Sequence, residues 1–499
     1  MKLTILDTTL RDGDQSAGFA FSVKEKVKIA RALALARVDV IEAGFPLASA
    51  LDWTACQAVT DALQDDPVRI ALMCRCLSDE MAKTANLLPR NKGILHVSLP
   101  VSALHIRTKL NSSEAQLIAR AVDAISMAVQ LAPCVECGAE DATRADVRFL
   151  TEYCDAVTSA GARIVNIADT LGQASTQHIV SLVDTLMRRV PAFAAREAIL
   201  SIHCHNDLGL AVANTLAAIQ AGCLQIETSV GGLGERAGNA ALEEVVANLC
   251  AHPGSYAVET KLRVEKIPAL VRTVYEAAGV APAPGKPCAG YNIQAHASGI
   301  HQHGLEQAED TYRVKAVTDV PQRVVLSRHS GRSGIRLAAQ YCGVMRLQER
   351  DIEQLLDDVK ENPVRSVGLT EFLQIMEKHK LLPPAFHALF CTSMTHRYEN
   401  TRYRVLAHLS SGISLIGEGP DMHDAILAAL STFSGLALSC PVLEGSQNGN
   451  THRLYAEIQL PTRLRVPVER CGQHPDLLFM QICLDAYNLW KIRQIQEKT

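Results

Sequence analysis

The sequence predicts an α/β protein that begins with a (β/α)8 barrel and continues into a helical region and a smaller α/β domain. At 499 residues the chain is too long for one ordinary domain. Over roughly the first 250 residues, apolar strand segments alternate with amphipathic helical segments, a pattern typical of a barrel. A doubly wound sheet would alternate in the same way, but no Gly-x-Gly-x-x-Gly follows the first strand.

Eight short apolar segments form the predicted strands of the barrel. They lie at 3–7, 38–43, 68–73, 94–99, 133–138, 163–168, 199–204 and 225–230. Between the first two, residues 23–36 carry apolar side chains at three- and four-residue spacing, which predicts a helix. After about residue 255 this rhythm ends. Residues 281–295 are rich in proline and glycine and read as a linker, and residues 296–390 read as short helices, including Glu349–Glu361.

A second α/β pattern begins near residue 400. Its predicted elements are a strand at 403–409, a turn at 417–420, a helix at 421–433, strands at 436–443 and 452–459, and a helix at 475–492. We therefore predict three parts: the barrel at 1–260, a linker with helical subdomains at 261–395, and a C-terminal domain at 396–499.

Composition narrows the class of protein. The net charge is −4, no long basic run occurs and only 4% of residues are aromatic, so we expect no nucleic-acid or membrane-surface partner. The N-terminus enters a strand without a signal peptide, and no long apolar stretch predicts a membrane span. The 15 cysteines are scattered through apolar segments, which fits reduced thiols in a cytoplasmic protein. Cys134 and Cys137 have no second pair at zinc-ribbon spacing, so we assign them no metal.

Two histidines stand at the end of the seventh predicted strand. Side chains alternate along a strand, so His203 and His205 point to the same side and Cys204 points away. Two imidazoles on one face make a possible pair of metal ligands, although polar strand ends without a ligand are common. Acidic residues also stand at the ends of other predicted strands, among them Glu42 at the end of the second. Their recurrence at one end of successive strands predicts a catalytic mouth.

Five motifs resemble the signatures of the 2-isopropylmalate synthase/homocitrate synthase family. They are LDTTLRDGDQS at 6–16, AEDATR at 139–144, HCHNDLGLA at 203–211, GLGERAGN at 232–239 and SGIHQ at 298–302. The segment GEGPDMHDA at 417–425 is similar to the opening of the C-terminal regulatory domain of this family. The resemblance implies an acyltransferase that joins an acyl-CoA, usually acetyl-CoA, to a 2-oxo acid and then hydrolyses the thioester.

The resemblance also implies a divalent metal. Its ligands would be Asp12, His203 and His205, with Asn239 as a weaker fourth. Such a site can chelate the keto oxygen and carboxylate of a 2-oxo acid and act as a Lewis acid. A mixed nitrogen and oxygen set suits Mg²⁺, Mn²⁺ or Zn²⁺, and the sequence does not choose among them.

Further site residues follow from the same motifs. Arg11 would place a permanent cation beside the developing oxyanion, and a salt bridge at the barrel rim is the alternative. Thr170 matches the hydroxyl that binds the carboxylate of the oxo acid, and Glu140 matches an acidic residue beside the metal. His96 and Asn166 fall where related enzymes line the 2-oxo acid pocket, although both could be polar core residues.

The resemblance places the catalytic base outside the barrel. His301 matches the family histidine that takes a proton from the acetyl methyl group, and Tyr312 matches a tyrosine that accompanies it. In the family this pair often reaches the partner subunit's active site, so we expect a homodimer. His303 replaces a common aspartate and Asp14 replaces the usual glutamate. The C-terminal domain is expected to bind a small-molecule feedback effector or to serve only in dimer contacts.

The identity of the 2-oxo acid depends on a weaker signal. Residues 96–110 resemble the nitrogenase-associated homocitrate synthases, and Arg107 would suit a substrate with a second acidic group. Candidates are 2-oxoglutarate, oxaloacetate and phosphonopyruvate, which give homocitrate, citrate and 2-phosphonomethylmalate. Against this, GFPLAS at 44–49 and the C-terminal domain resemble the 2-isopropylmalate branch, which uses 2-oxoisovalerate. Arg107 could also simply face solvent.

Two further functions remain as alternatives at this stage. A C–C lyase resembling hydroxymethylglutaryl-CoA lyase would share the Arg-Asp and His-x-His elements. A non-catalytic metabolite-binding protein could be built on a barrel that has lost its activity. The SGIHQ segment and the C-terminal domain favour the synthase over the first, and retention of the complete set of site residues argues against the second.

Overall fold

The computed structural model of the chain has two compact units, one formed by Met1–Val280 and one holding most of the remainder. It describes residues 1–290, 292–313, 323–362, 366–382, 391–399, 402–409, 411, 413–434, 436, 438–448, 451–459, 465–472 and 475–496. Parts of the predicted helical region, at 314–322, 363–365 and 383–390, lie outside the described residues. In the part that is described, no helix has the length and apolar character needed to cross a membrane.

The first unit is a closed barrel of eight parallel strands in chain order. The strands are β1 (Thr4–Asp7), β2 (Val40–Gly44), β3 (Arg69–Arg75), β4 (Gly93–Pro100), β5 (Val135–Glu140), β6 (Ile164–Asp169), β7 (Ile199–Cys204) and β8 (Gln225–Thr228). Each begins within two residues of its predicted position. The predicted (β/α)8 barrel is confirmed.

Helices follow the strands around the barrel. They are α1 (Val23–Leu35), α2 (Ala50–Ala62), α3 (Ser78–Ala85), α4 (Ala103–Thr108), α5 (Glu114–Leu131), α6 (Val147–Ser159), α7 (Thr176–Arg189), α8 (Pro191–Ala194), α9 (Ala211–Ala221), α10 (Leu242–Ala251), α11 (Pro253–Tyr256) and α12 (Ile267–Ala278). Helix α1 shows why they form. Ser22 and Glu25 make a reciprocal capping box at its start, and Ile29 and Leu33 bury its apolar face.

The interior of the barrel changes from apolar to polar along the strands. Ile94 and Ile164 belong to a small buried apolar cluster toward the strand N-termini. Two residues further along the same strands, and therefore on the same face, stand His96 and Asn166, both buried. The polar interior thus lies toward the carboxyl ends of the strands, where barrel enzymes carry their active sites.

Among its described residues, the second unit has helices and three small sheets. Its elements are β9 (Ala295–His296), α13 (Gly299–Gln307), β10 (Arg323–Val324), α14 (Arg332–Tyr341), α15 (Glu349–Glu361), α16 (Leu369–Lys378), β11 (Cys391–Glu399), β12 (Arg402–Leu409), β13 (Ser414–Gly419), α17 (Met422–Ser434), β14 (Ser439–Asn448), β15 (Thr451–Gln459), β16 (Arg465–Gly472) and α18 (Pro475–Gln496). Strands β11–β12–β13 and β14–β15–β16 form two antiparallel sheets. The predicted helix at Glu349–Glu361 is confirmed, whereas β11, β13 and β16 were not predicted.

The turn predicted at 417–420 is wrong, because Gly417 and Gly419 lie within β13. The two glycines are needed for packing instead. A Cβ atom at either position would overlap the backbone of α17, which packs closely against this strand. Glycine at these positions permits a close approach of helix and strand. The sequence analysis took the same two glycines as the sign of a turn.

Candidate active site

Three side chains that could hold a metal ion converge at the mouth of the barrel. Asp12 lies in the loop after β1, and His203 and His205 stand at the end of β7. The two Nε2 atoms are 3.2 Å apart, and Asp12 Oδ2 lies 3.4 Å from that of His203 and 3.7 Å from that of His205. All three side chains are buried. The β-strand alternation inferred from the sequence therefore brings both imidazoles to one point beside the carboxylate.

This geometry fits one divalent cation. Ligand atoms that each lie about 2.1 Å from a shared ion are themselves about 3.0–3.4 Å apart. Asn239 Nδ2 donates hydrogen bonds to Asp12 Oδ2 (2.9 Å) and to the carbonyl of Leu233 (3.2 Å). Its Oδ1 is buried and has no hydrogen-bond partner among the described residues. Asn239 can thus offer an oxygen as a fourth ligand.

Glu227 on β8 orients His203. Its Oε2 accepts a hydrogen bond of 2.8 Å from Nδ1 of His203, and its Oε1 accepts one of 2.6 Å from Nδ2 of Asn166. A carboxylate on Nδ1 fixes the tautomer in which Nε2 presents its lone pair to a metal. The sequence analysis gave Glu227 no role. A carboxyl group inside a short apolar strand was the signal that could have found it.

The two histidines at the mouth have pKa values that are shifted in opposite directions. Burial lowers the pKa of His203, but its hydrogen bonds to Asp12 and Glu227 outweigh this and raise it to about 9. Burial and the neighbouring His203 lower the pKa of His205 to about 3. Burial opposes ionisation of Asp12, but Arg11 and His203 hold its pKa well below the usual range. The pocket is therefore negative enough to attract a positive charge onto one imidazole.

Glu42 at the end of β2 connects the other polar groups of the mouth. Its Oε2 accepts hydrogen bonds of 2.7 Å from Arg11 Nε and from the Thr8 hydroxyl, and its Oε1 lies 2.8 Å from His96 Nδ1. Arg11 Nη1 lies 3.6 Å from Asp12 Oδ1. Arg11 thus makes an ion pair with Glu42 on the neighbouring strand β2 and also lies beside Asp12. Burial disfavours the charged form of Glu42, yet Arg11 and His96 keep its pKa far below normal.

The remaining barrel residues of the predicted site are Arg107 on α4, Glu140 at the end of β5 and Thr170 directly after β6. Glu140 is partly exposed, with its Oε1 2.6 Å from Lys109 Nζ and 3.1 Å from His105 Nδ1. The Thr170 hydroxyl accepts a hydrogen bond of 2.8 Å from the backbone amide of Asp141. Arg107 lies on α4 and is exposed, with no ion pair to any described residue.

His301 and Tyr312 belong to the second unit. His301 lies on α13, and its ring stacks on that of Tyr312 with centroids 4.0 Å apart and planes inclined by 17°. The ring of His296 is 5.8 Å from that of His301. The structure thus brings the two residues of the predicted base together as one pair. His303 Nδ1 lies 3.2 Å from the Ser333 hydroxyl and takes no part in the stack.

Two family models match this chain, one within its first unit and the other largely within its second. The family model described as HMGL-like matches residues 2–274, and the one described as homocitrate synthase post-HMGL domain-like matches residues 288–366. The 2-isopropylmalate synthase of Hydrogenovibrio crunogenus is 38% identical over 411 residues, which cover 81% of this chain and 77% of that protein. That of Aromatoleum aromaticum is 38% identical over 444 residues, covering 87% and 86%. A solved hydroxymethylglutaryl-CoA lyase from Pseudomonas aeruginosa is 20% identical, covers 56% of this chain and 94% of its own, and has a TM-score of 0.48.

A closed barrel with one carboxylate and two imidazoles at its mouth defines the class of metal-dependent barrel enzymes. Within that class, the chain belongs to the 2-isopropylmalate synthase family. Members of this family condense acetyl-CoA with a 2-oxo acid and use a divalent metal. The family and enzyme class predicted from the sequence are confirmed.

Proposed function

We propose that this chain joins the acetyl group of acetyl-CoA to the keto carbon of a 2-oxo acid and releases CoA and a 2-substituted malate. The observation that carries this proposal is the convergence of Asp12, His203 and His205 within 3.7 Å of one another, with Arg11 alongside. A chelating 2-oxo acid and a developing alkoxide need this combination of metal ligands and a fixed cation.

The residues that would hold the metal are Asp12, His203, His205 and Asn239. When bound there, a divalent cation supplies Lewis-acid polarisation of a keto group. The chain's own groups do the rest of the positioning. Glu227 fixes the tautomer of His203, and Glu42 holds the Arg11 guanidinium where it can stabilise negative charge on the former keto oxygen.

Proton removal from the acetyl methyl group is assigned to His301. Its stacking on Tyr312 supports a fixed position of the imidazole ring. A general base must be held within hydrogen-bond reach of the proton that it removes. The methyl C–H bond breaks and its proton moves to His301. As the new C–C bond forms at the keto carbon, the π bond of the keto group breaks and its electron pair goes to the oxygen, which then takes a proton. Water later cleaves the thioester C–S bond and leaves a carboxylate and the CoA thiol. We propose that the pair acts in a homodimer, at the active site of the partner subunit.

Four barrel residues are proposed to bind or orient the 2-oxo acid. Thr170 would bind its carboxylate, Glu140 would direct proton traffic beside the metal, and His96 and Asn166 would line its pocket. The hydrogen bonds of His96 and Asn166 to the carboxylates of Glu42 and Glu227 support fixed positions for both side chains. We further propose a cytoplasmic location and a feedback effector at the C-terminal domain.

The 2-oxo acid is proposed to carry a second acidic group that Arg107 recognises. The guanidinium is exposed on α4, directly after the strand that carries His96, and no described carboxylate neutralises it. A distal carboxylate or phosphonate could therefore pair with it. The second candidate is 2-oxoisovalerate, because the curated relatives at 38% identity are named 2-isopropylmalate synthase.

The choice between these substrates predicts a measurable order of activity. We expect CoA release from acetyl-CoA to be fastest with 2-oxoglutarate, oxaloacetate or phosphonopyruvate, and Arg107→Ala to raise KM for that diacid about tenfold. Glu152→Gln, an exposed change on α6, is the control. If 2-oxoisovalerate were the only 2-oxo acid turned over, and Arg107→Ala did not change its KM, the proposal of an acidic substrate would be wrong and the second candidate would be established.

A separate prediction concerns the support of the metal by Glu227. Replacing Glu227 by glutamine removes the carboxylate that fixes His203 and is expected to weaken Mn²⁺ binding about 10–100-fold. The measurement is a calorimetric titration of the metal-free chain, again with Glu152→Gln as the control. Unchanged Mn²⁺ affinity in a folded Glu227→Gln chain would show that His203 needs no such support.

A further inference from the structure

A second group of residues that could hold a cation lies inside the barrel, beside the Asp12–His203–His205 group. It consists of His96 on β4, Glu136 on β5 and Glu227 on β8, each at most 1% exposed. One ligand atom from each lies within 4.8 Å of the others. His96 and Glu136 are paired across neighbouring strands, so the backbone register fixes their approach.

His96 is arranged in the same way as the histidine at the mouth. His203 Nδ1 is bound to a carboxylate at 2.8 Å and its Nε2 faces the metal ligands. His96 Nδ1 is likewise bound to the carboxylate of Glu42 at 2.8 Å. Its Nε2 is buried and has no hydrogen-bond partner in the described part of the chain. A carboxylate on one ring nitrogen and a free second nitrogen are typical of a metal-ligating imidazole.

Gly138 keeps this nitrogen accessible. A Cβ atom at position 138 would lie 2.6 Å from His96 Nε2, so any side chain here would cover the lone pair or displace the ring. The Oε1 atom of Glu136 accepts a hydrogen bond of 2.7 Å from Gln225, whereas its Oε2 has no partner among the described residues. Two buried ligand atoms, His96 Nε2 and Glu136 Oε2, therefore have no partner among the described residues, and Gly138 leaves the first of them uncovered.

The electrostatics of this space favour a positive charge. Burial raises the pKa of Glu136 to about 8, and the carboxylates of Glu227 and Glu42 add to this against the effect of His96. Burial lowers the pKa of His96, but Glu42 outweighs it and raises the value to about 9. Both raised pKa values have the same cause: the buried carboxylates must be neutralised, either by a cation or by bound protons.

We propose that His96, Glu136 and Glu227 form a second, inner site for a divalent cation. One nitrogen and two carboxylate ligands suit Mn²⁺, Zn²⁺, Fe²⁺ or Co²⁺. Glu227 also binds His203, so an inner ion would hold the carboxylate that orients a ligand of the mouth. The inner site is defined by its own ligands and does not depend on the proposed reaction.

The test is the number of Mn²⁺ ions bound by the full-length, metal-depleted chain. We expect two ions for the wild-type chain by calorimetric titration and by metal analysis after gel filtration. Glu136→Gln and Gly138→Ala should each bind one, the first by removing a ligand and the second by obstructing His96 Nε2. Glu152→Gln, an exposed change of the same type, should still bind two.

The possible results distinguish failure of the inner-site proposal from failure of the proposed function. One ion in the wild-type chain with CoA release intact would overturn the inner site and leave the reaction standing. Two ions in both Glu136→Gln and Gly138→Ala would overturn it as well, because the second ion would then lie elsewhere. Circular dichroism identifies a variant that has not folded, and the other variant then decides the result.

Discussion

Replacement of His205 by alanine is expected to lower kcat/KM for CoA release about 10³-fold and to weaken Mn²⁺ binding at the mouth. The change removes one of three buried ligand atoms that lie within 3.7 Å of one another. Charge that develops on the former keto oxygen then loses its strongest stabilisation, an effect of about 10²–10³ or more in comparable sites. Initial rates at saturating Mn²⁺ give the measurement.

His252→Ala is the matched control, because His252 is an exposed histidine outside the site. It should keep the wild-type rate and affinity. If His205→Ala retained more than a tenth of wild-type kcat/KM with unchanged Mn²⁺ affinity, His205 would be a polar strand-end residue and the ligand assignment would be wrong.

Replacement of Glu42 by glutamine is expected to reduce both stability and activity. Glu42 is fully buried and binds Arg11, Thr8 and His96. Removing one partner of a buried ion pair leaves a buried charge uncompensated, so the free energy of unfolding should fall by about 3 kcal/mol at pH 7. The rate should also fall, because the Arg11 guanidinium loses its fixed orientation. Urea denaturation and CoA release of the full-length chain provide the two measurements.

The contribution of Glu42 to the free energy of unfolding depends on pH in a predictable direction. The Arg11 and His96 partners hold the pKa of folded Glu42 below that of an unfolded glutamate, about 4.3. Its contribution to stability is therefore complete above about pH 5 and is lost as the pH falls through the folded value. The difference between wild type and Glu42→Gln should shrink below about pH 4. A difference that grows on acidification would contradict the ion pair.

A double variant separates the ion pair from simple packing. Arg11→Met with Glu42→Gln removes both charges, so its loss of stability should be smaller than the sum of the two single losses. Strictly additive losses would mean that the two side chains do not interact across β1 and β2.

The barrel and the shared face of His203 and His205 could be predicted because both depend on local periodicity, whereas Asp12 was assigned to them only from the resemblance to the family motif. Alternation along β7 is sufficient to place His203 and His205 on one face, and the spacing of apolar segments is sufficient to count the strands. Glu227 received no role, and Glu42 was counted only as one of the acidic residues at strand ends, because the importance of both lies in contacts between strands, where one carboxylate joins residues far apart in the sequence. Such contacts have no local pattern.

The second unit was predicted less completely. Strands β12, β14 and β15 follow clear apolar patterns, whereas β13 contains the two glycines that face α17 and were taken for a turn. Strand β16 contains Pro467, which argues against a strand when only local sequence is considered. Packing of α17 and pairing with β15 outweigh these local preferences. The two boundaries between the three predicted parts and the role of Arg107 stay predictions.

The most direct test of the central claim is metal-dependent CoA release by the chelated, full-length chain. We predict no release without added metal. With Mn²⁺, release should require acetyl-CoA and a 2-oxo acid together, and a 2-substituted malate should form in equal amount. Release of CoA at the same rate without metal or without any 2-oxo acid would contradict the account, because neither the mouth ligands nor the condensation would then be needed.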